Sequence, residues 1–429
     1  MLALFLALAC RDPRPVAPPP LEATAPVAPT PSRQATREEA RATVVAVGDI
    51  MMHGMVKKTA AEHADATNHE GYDVLWQAVA PHLASADIAF GNLETPIAPD
   101  HHRGVRQMVF NADPVVLDSL LHAGVDVVSF ANNHVYDQGR DGLEETVVRL
   151  AAHELAFVGA GLSCAEAQAP VLLDANGISV AFIGSTDLYN DALNAADDAP
   201  CAATFDPEWV LASAAAAREQ GAEIVIVSVH WGVEYATGPL AEHIEAAHTL
   251  IDGGVDVVLG HHPHVLQPLE VRQAPDGRMG LIAYSLGNFV SNQSAWWVPG
   301  MHSAAAGNPR DGLLLSFDLV RKDYGRGPGG TTLQRTELAN VRTVPLWTRN
   351  NTHHRRGDDK VWIAVEPTAE RWATLCAAEP EADEQALVAL RREADAMAMR
   401  WRQVRSIVGE AFLPPATDPC GPPSQAADQ

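Results

Sequence analysis

The sequence predicts an α/β protein, and three observations carry that prediction. From Ala42 onward, short β-branched apolar runs alternate with helix-like segments. Most of the runs are apolar throughout, the pattern of strands buried on both faces, which calls for helices or a second sheet on each side. Asn176-Gly177 lies between Val171–Asp174 and Ile178–Gly184, a two-residue turn signal that joins antiparallel strands, so the sheet is mixed.

The elements follow in chain order. Strands are expected at Thr43–Gly48, Ile88–Asn92, Val125–Ala131, Ala156–Gly159, Ile178–Gly184, Glu223–His230, Val255–Gly260 and Leu281–Asn288. Helices fit at Val74–Ala84, Val115–Ala123, Gly142–His153, Trp209–Gln220 and Leu240–Asp252, three of them stopped by Gly124, Gly221 and Gly253. After about Val344 the pattern fades into the polar stretch Asn350–Lys360. A long helix is then expected from Glu381 to Glu410. Leu390, Ala394, Met397, Trp401, Val404 and Val408 recur on it at spacings of four and three, an apolar stripe that packs against the main body. Pro414–Gln429 is a proline-rich tail. The chain therefore divides into a signal-like segment (1–10), a Pro/Ala-rich spacer (11–41), a main domain (42–347) and a helical extension with a loose tail (348–429).

Composition narrows the function. The chain has 429 residues, 47% of them hydrophobic, enough for a large core. Its 54 acidic residues against 30 Lys+Arg give a formal charge of −24, which repels a phosphate backbone and argues against nucleic-acid binding. Leu2–Ala9 is too short to span a bilayer, which takes about 20 apolar residues. Leu6-Ala7-Leu8-Ala9-Cys10 resembles a bacterial lipoprotein signal with Cys10 as the lipidated N-terminus, and the prolines that follow make an extended tether. That combination predicts a periplasmic or surface protein attached to the membrane at Cys10. Cys164, Cys201, Cys376 and Cys420 remain as two disulfides or as free thiols. Three pairings are possible, and proximity in sequence favours Cys164 with Cys201 and Cys376 with Cys420.

The chemistry lies at the strand ends. Asp49 follows the first strand, Asn92 and Glu94 the second, Asn132, Asn133 and His134 the third. His230 closes a later one, and Gly260-His261-His262-Pro263-His264 follows the next. Carboxyl ends of strands in α/β sheets are where ligands bind. A lone Gly-Asp is usually a turn. Carboxylates, an amide and imidazoles recurring at successive ends form a donor mix suited to divalent cations such as Mn²⁺, Zn²⁺ or Fe²⁺.

Together with Asp137, Gly139, Trp231, Glu234, Tyr235, Gln267 and Tyr284-Ser285-Leu286-Gly287-Asn288-Phe289, these blocks resemble the bacterial capsule-synthesis CapA family. That family is the poly-γ-glutamate accessory group of the calcineurin-like metallophosphoesterases, and the likeness covers about Thr43 to Val320. The resemblance implies a four-layer αββα sandwich with up to two metal ions. It makes Asp49 a ligand of the first ion, Glu94 the bridge, Asn133, His230 and His262 ligands of the second, and returns His264 to the first. It sets His134 beside the leaving group. Beside that set, Asp137 is read as orienting the Asn133–His134 turn, Glu234 and Tyr235 as lining the pocket, and Asn92 and Asn288 as reaching substrate, with a structural role the alternative for these residues. Two such ions lower the pKa of a shared water and clamp both oxygens of a displacement at phosphorus.

Two departures from the superfamily pattern stand out. Met51 replaces the histidine of Asp-x-His, so the first ion lacks an imidazole for which His53 is a conceivable substitute, and the bridge is Glu94 rather than Asp. The first ion should therefore be held more weakly. Occupancy of both positions should fall as pH drops through the histidine range, about 6.5 for an unperturbed imidazole. His101, His102, His243, His248, His302, His353 and His354 read as solvated. The implied function is hydrolysis of a phosphate ester in capsular or envelope polymer metabolism. The alternative is a non-catalytic accessory that binds a polyanionic polymer beside polyglutamate synthase or export subunits.

Overall fold

The structure is a computed structural model and describes residues 37–103, 108–191, 199–326, 332–355, 357–378, 384–413 and 418–420. The signal-like segment with Cys10, and the spacer up to residue 36, lie outside the described residues. Among the described residues no helix is long and apolar enough to cross a membrane.

Two sheets stack face to face. The first runs Ile363–Pro367, Thr332–Asn350, Asp311–Arg326, Arg37–Ile50, Ile88–Leu93, Val127–Ser129, Ala156–Val158, with Asn288–Val290 paired to the end of Arg37–Ile50. The second runs Leu269–Gln273, Met279–Ala283, Val257–His261, Ile224–His230, Ile178–Thr186, Val171–Ala175. The central strands of each sheet are parallel, so their carboxyl ends share one edge.

Side-chain alternation along these strands builds the layers. Val44, Ala46, Ile88 and Phe90 face Val180, Phe182, Ile226, Val257 and Leu259 in a core between the sheets. The intervening Val45, Val47, Ala89 and Val128 face outward onto Val116, Leu120, Leu143 and Leu150 of the helices Val115–His122 and Gly139–Ala152. On the far side, Ile183, Val225, Val227 and Val258 meet Val210, Ala214, Leu250 and Ile251 of Pro207–Glu219 and Ala241–Asp252. The result is helix, sheet, sheet, helix, the expected αββα sandwich. Each Val, Leu or Ile so buried contributes about 1.5–3 kcal/mol.

Asn176 and Gly177 both have positive φ, 54° and 79°, and close the expected hairpin between Val171–Ala175 and Ile178–Thr186. Both cysteine pairs favoured by proximity are disulfides, Cys164–Cys201 and Cys376–Cys420. The long helix spans Glu384–Val408, and its stripe does pack on the body: Val404 and Val408 enter the core between the sheets, and Ala394 and Met397 pack with Trp297, Trp347 and Trp372.

Three expectations fail. Val74–Ala84 is not one helix but a 3-10 segment, His69–Leu75, followed by Ala80–Ala84; Pro81 is tolerated in a first turn and not in a helix interior. The strand expected at Leu281–Asn288 is two pieces, Met279–Ala283 in the second sheet and Asn288–Val290 in the first, and the chain crosses between sheets at Gly287, φ 65°. That crossing touches the first strand so closely that a Cβ on Gly48 would lie 1.9 Å from the Gly287 carbonyl oxygen. Strands Asp311–Arg326, Thr332–Asn350 and Ile363–Pro367 extend the first sheet beyond what the hydrophobic pattern disclosed.

Candidate metal centre

The shared edge of the sheets gathers two groups of ligand atoms. Glu94, His230 and His262 form one, and Asp49, Glu94 and His264 the other, with the atoms of each group within 4.8 Å of one another. Glu94 belongs to both. Asp49 stands at the end of Arg37–Ile50 and Glu94 just past Ile88–Leu93, in the first sheet. His230 ends a strand of the second, and His262 and His264 occupy the loop after Val257–His261. All five are buried.

Distances within the groups are those of ligands that share an ion. Two donors each about 2.1 Å from a tetrahedral ion lie about 3.4 Å apart. His230 Nε2 is 3.2 Å from His262 Nδ1, 3.7 Å from Glu94 Oε1 and 2.8 Å from Asn133 Oδ1. His264 Nδ1 is 3.1 Å from Asp49 Oδ2, and its Nε2 is 3.7 Å from Glu94 Oε1. Both Glu94 oxygens and His264 Nε2 are buried without a hydrogen-bond partner. A buried polar atom left unpaired costs about 1–3 kcal/mol, and a bound cation would satisfy these.

Electrostatics agree. Burial, followed by the charges of Asp49, Glu234 and Asp137, pushes the Glu94 carboxyl well above its usual value. Burial also pushes Asp49 upward, but the facing imidazoles of His261 and His264 outweigh it and hold that carboxyl well below its usual value. Burial and neighbouring imidazoles lower His262 to about 3 and take His230 well below the usual imidazole range. In the metal-free cluster burial thus disfavours the protonated form of both imidazoles and favours the protonated form of Glu94.

The loop after Val257–His261 is strained in service of this arrangement. His262 and His264 have φ of 96° and 56°, a region that side chains rarely occupy. Tyr235 N donates to Pro263 O at 2.7 Å and Asn288 Nδ2 to His264 O at 3.3 Å, which pins the loop from both sides.

Around the cluster, His134 Nδ1 donates to Asp137 Oδ2 at 2.8 Å, and Phe110 N donates to the same oxygen. The ring of His134 rests on Phe110 with centroids 4.3 Å apart, and its Nε2 faces Glu94 Oε1 at 3.9 Å. Asn92 and Asn288, expected to reach substrate, are turned inward. Asn92 Nδ2 donates to Asp49 Oδ1 at 2.8 Å, and Asn288 Nδ2 bonds Gln293 and Pro309 while its Oδ1 lies 3.1 Å from His264 Nδ1. Both are as buried as Glu94 and His264, and both contact residues of the ligand groups. Glu234 and Tyr235 are exposed, the Tyr235 ring 6.3 Å from that of His264.

His53 falls in neither ligand group; its Nδ1 accepts from Asn292 N and its ring packs edge-on to Phe110. Burial, with the charges of His264 and His134, lowers it to about 4. Of the histidines read as solvated, His101, His102, His302, His353 and His354 are exposed, but His248 is half-buried against Glu270 and His243 is buried flat on Trp231. Two neighbours of the site were given no role by the sequence, His261 although it lies in the Gly260–His264 block. Asn190 bonds Asn133 through backbone and side chain and lies 3.4 Å from His134 Nδ1, and His261 sits behind Asp49.

Residues 43–293 match the model of the family described as bacterial capsule synthesis protein PGA_cap. The chain belongs to that family. It is 31% identical over 340 residues to the capsule biosynthesis protein CapA of Bacillus anthracis, covering 77% of this chain and 79% of the relative. It is also 31% identical over 283 residues to the PGA biosynthesis protein CapA of Bacillus subtilis, covering 65% and 68%. Among solved structures, a calcineurin-like phosphoesterase from Bacillus subtilis overlaps 70% of this chain and 90% of its own at 13% identity and a TM-score of 0.34. The PGA_cap match ends at residue 293, so it contains every residue of both ligand groups and excludes Arg310–Asn350 and the long helix.

Proposed function

We propose that this PGA_cap protein is a metal-dependent hydrolase of phosphate esters in capsular or envelope polymer metabolism. The observation that carries the reading is that two ligand groups share Glu94 and leave both of its oxygens unpaired. Bound divalent ions, two at most, would polarise a phosphoryl oxygen and lower the pKa of a nearby water. Asp49 and His264 would hold one, and Asn133, His230 and His262 the other.

The chain's own residues supply the rest. Asp137 fixes the Nδ1 proton of His134, which directs Nε2 into the cluster; a proton held there is positioned for the leaving oxygen, and Asp137 offsets the charge. Phe110 excludes water from one face of that ring. Exposed Glu234 and Tyr235 line the approach. A polyanion such as poly-γ-glutamate or a phosphate ester suits a cation-bearing mouth on an otherwise negative protein. The names of the Bacillus relatives support the polymer setting. Export, with a lipid on Cys10 that holds the protein at the membrane, is part of the same proposal.

The assay is turnover of a generic phosphodiester and monoester by purified protein supplied with Mn²⁺, Zn²⁺ or Fe²⁺. The reading requires metal-dependent turnover that the Glu94→Ala, His230→Ala double variant lacks. Equal rates for the two proteins would refute it.

Met51, at the position where phosphoesterases carry an imidazole, favours a second reading. In it the ions build a polymer-binding groove and a synthase or export partner does the chemistry. Metal-dependent binding of poly-γ-glutamate without turnover of either ester would select it.

A further inference from the structure

His261 is the one imidazole of the Gly260–His264 run that neither ligand group uses, and it is fully buried. Alternation explains its position. Val257 and Leu259 point into the core between the sheets, and His261, two residues on, points the same way. Its backbone is fixed by register opposite His230 and by the Trp231 N–H, which donates to its carbonyl at 3.0 Å. Its ring lies against Phe90, centroids 5.8 Å apart. An imidazole in such a place is unexpected unless something engages it, yet neither ring nitrogen has a hydrogen-bond partner.

The nearest polar atom is Asp49 Oδ1, 3.2 Å from His261 Nδ1 and off the angle of a formed hydrogen bond. Asn92 Nδ2 donates to the same oxygen at 2.8 Å. Oδ2, the other oxygen, faces His264 and the ligand group. Asp49 thus has one oxygen turned back toward two donors from two sheets and one turned to the proposed ion.

We propose that His261 is a positioning residue for the weaker of the two ion sites: its Nδ1–H completes a hydrogen bond to Asp49 Oδ1 and so presents Oδ2 as the metal ligand. The inference rests on the reading of this cluster as a metal centre. It assigns a use to a buried group that is otherwise unsatisfied, and it steadies Asp49 at the ion site where Met51 supplies no donor. Such partners typically change metal affinity by about 10–100-fold.

The test is calorimetric titration of metal-free wild type, His261→Phe and His261→Asn with Mn²⁺ or Zn²⁺, alongside thermal unfolding of the metal-free proteins. Phe keeps an aromatic ring beside Phe90 but removes the donor; Asn keeps a donor in the place of Nδ1. His261→Phe should weaken only the lower-affinity equivalent, by about 10–100-fold, with unfolding temperature unchanged or raised because an unpaired polar ring is gone. His261→Asn should restore much of that affinity. Wild-type affinities in His261→Phe would overturn the proposal. So would equal weakening of both equivalents with a lowered unfolding temperature, which marks a merely structural residue. A wild type that binds no ion overturns the metal centre itself along with this inference, whereas two ions held with wild-type affinity in every variant spares the centre and removes only the role of His261.

Discussion

The same strands end in opposite ways. At their amino ends, Asp87, Asp126, Glu223 and Asp256 each precede a strand and accept the backbone N–H of its neighbour: Thr43, Ala89, Ser179 and Val225, respectively. Asp256 also takes Arg218 and Arg278, and Glu223 takes Arg321 and Thr336, so these carboxylates are saturated. At the carboxyl ends, Glu94, His261 and His264 are buried deeper and keep unpaired atoms. A cleft lined by Arg218, Glu223, Asp256, Arg278, Arg321 and Arg335 opens at the saturated end, and it is roomy. Arg218, Arg278 and Arg321 there are nonetheless paired with Asp256, Asp276 and Glu223. The contrast teaches that a cluster of charge marks a ligand site when its valences are open, and a structural lock when they are closed.

If that distinction is right, the two ends should respond differently to substitution. Asp256→Ala removes the shared partner of Arg218 and Arg278 and leaves the Val225 N–H unpaired. It should destabilise the fold by about 3 kcal/mol, the low end for breaking a buried pair because the arginines are partly exposed, with metal affinity unchanged. Denaturant unfolding and metal titration of the variant read the two quantities. A loss of metal affinity larger than threefold would blur the comparison.

A pH effect comes next. Glu94 has a raised folded pKa, so its contribution to stability of the metal-free protein is fully present below its unfolded value and is lost as pH rises through the folded one. His230 and His262 act in the opposite sense. Their folded pKa values are depressed, so their contribution is lost as pH falls below the unfolded imidazole range. The difference in unfolding free energy, wild type minus Glu94→Gln, isolates the carboxylate and should fall with rising pH in metal-free protein. A saturating divalent ion should reverse that difference. A difference flat in pH would mean that Glu94 is not the open valence.

Smallest is Arg321→Ala. The Arg321–Glu223 pair is partly exposed and screened, so its loss should cost about 1 kcal/mol or less by denaturant unfolding.

The ligand residues were legible because each follows an apolar run that declares a strand, and the ends of parallel strands must converge. Asp49, Glu94, His230, His262 and His264 all meet as that logic requires. His261 was not legible as a separate element. Only the alternation inherited from Val257 and Leu259 sends it behind Asp49, while the positive φ of His262 turns the chain toward the cluster. Asn190 reaches the site from a loop that carries no periodicity. Thr332–Asn350 escaped notice for a different reason: polar side chains paired across the sheet, as in Lys322–Glu337 and Arg342–Asp318, interrupt the apolar run by which strands are recognised, although Leu338, Val344 and Leu346 pack on the core.

The central claim is that Glu94 is shared between two unequal ion sites. Its most direct test is calorimetric titration of the metal-free protein with Mn²⁺, repeated on His262→Ala, His264→Ala and Glu94→Gln, with elemental analysis after mild chelation. The account predicts two binding events of unequal affinity in the wild type and close to one ion per chain surviving chelation. His262→Ala should lose the tighter ion, His264→Ala mainly the weaker, and Glu94→Gln both. Two equally tight ions would contradict the inequality and show that another group replaces the imidazole missing at Met51. No binding by the wild type, or full binding by Glu94→Gln, would contradict the claim itself.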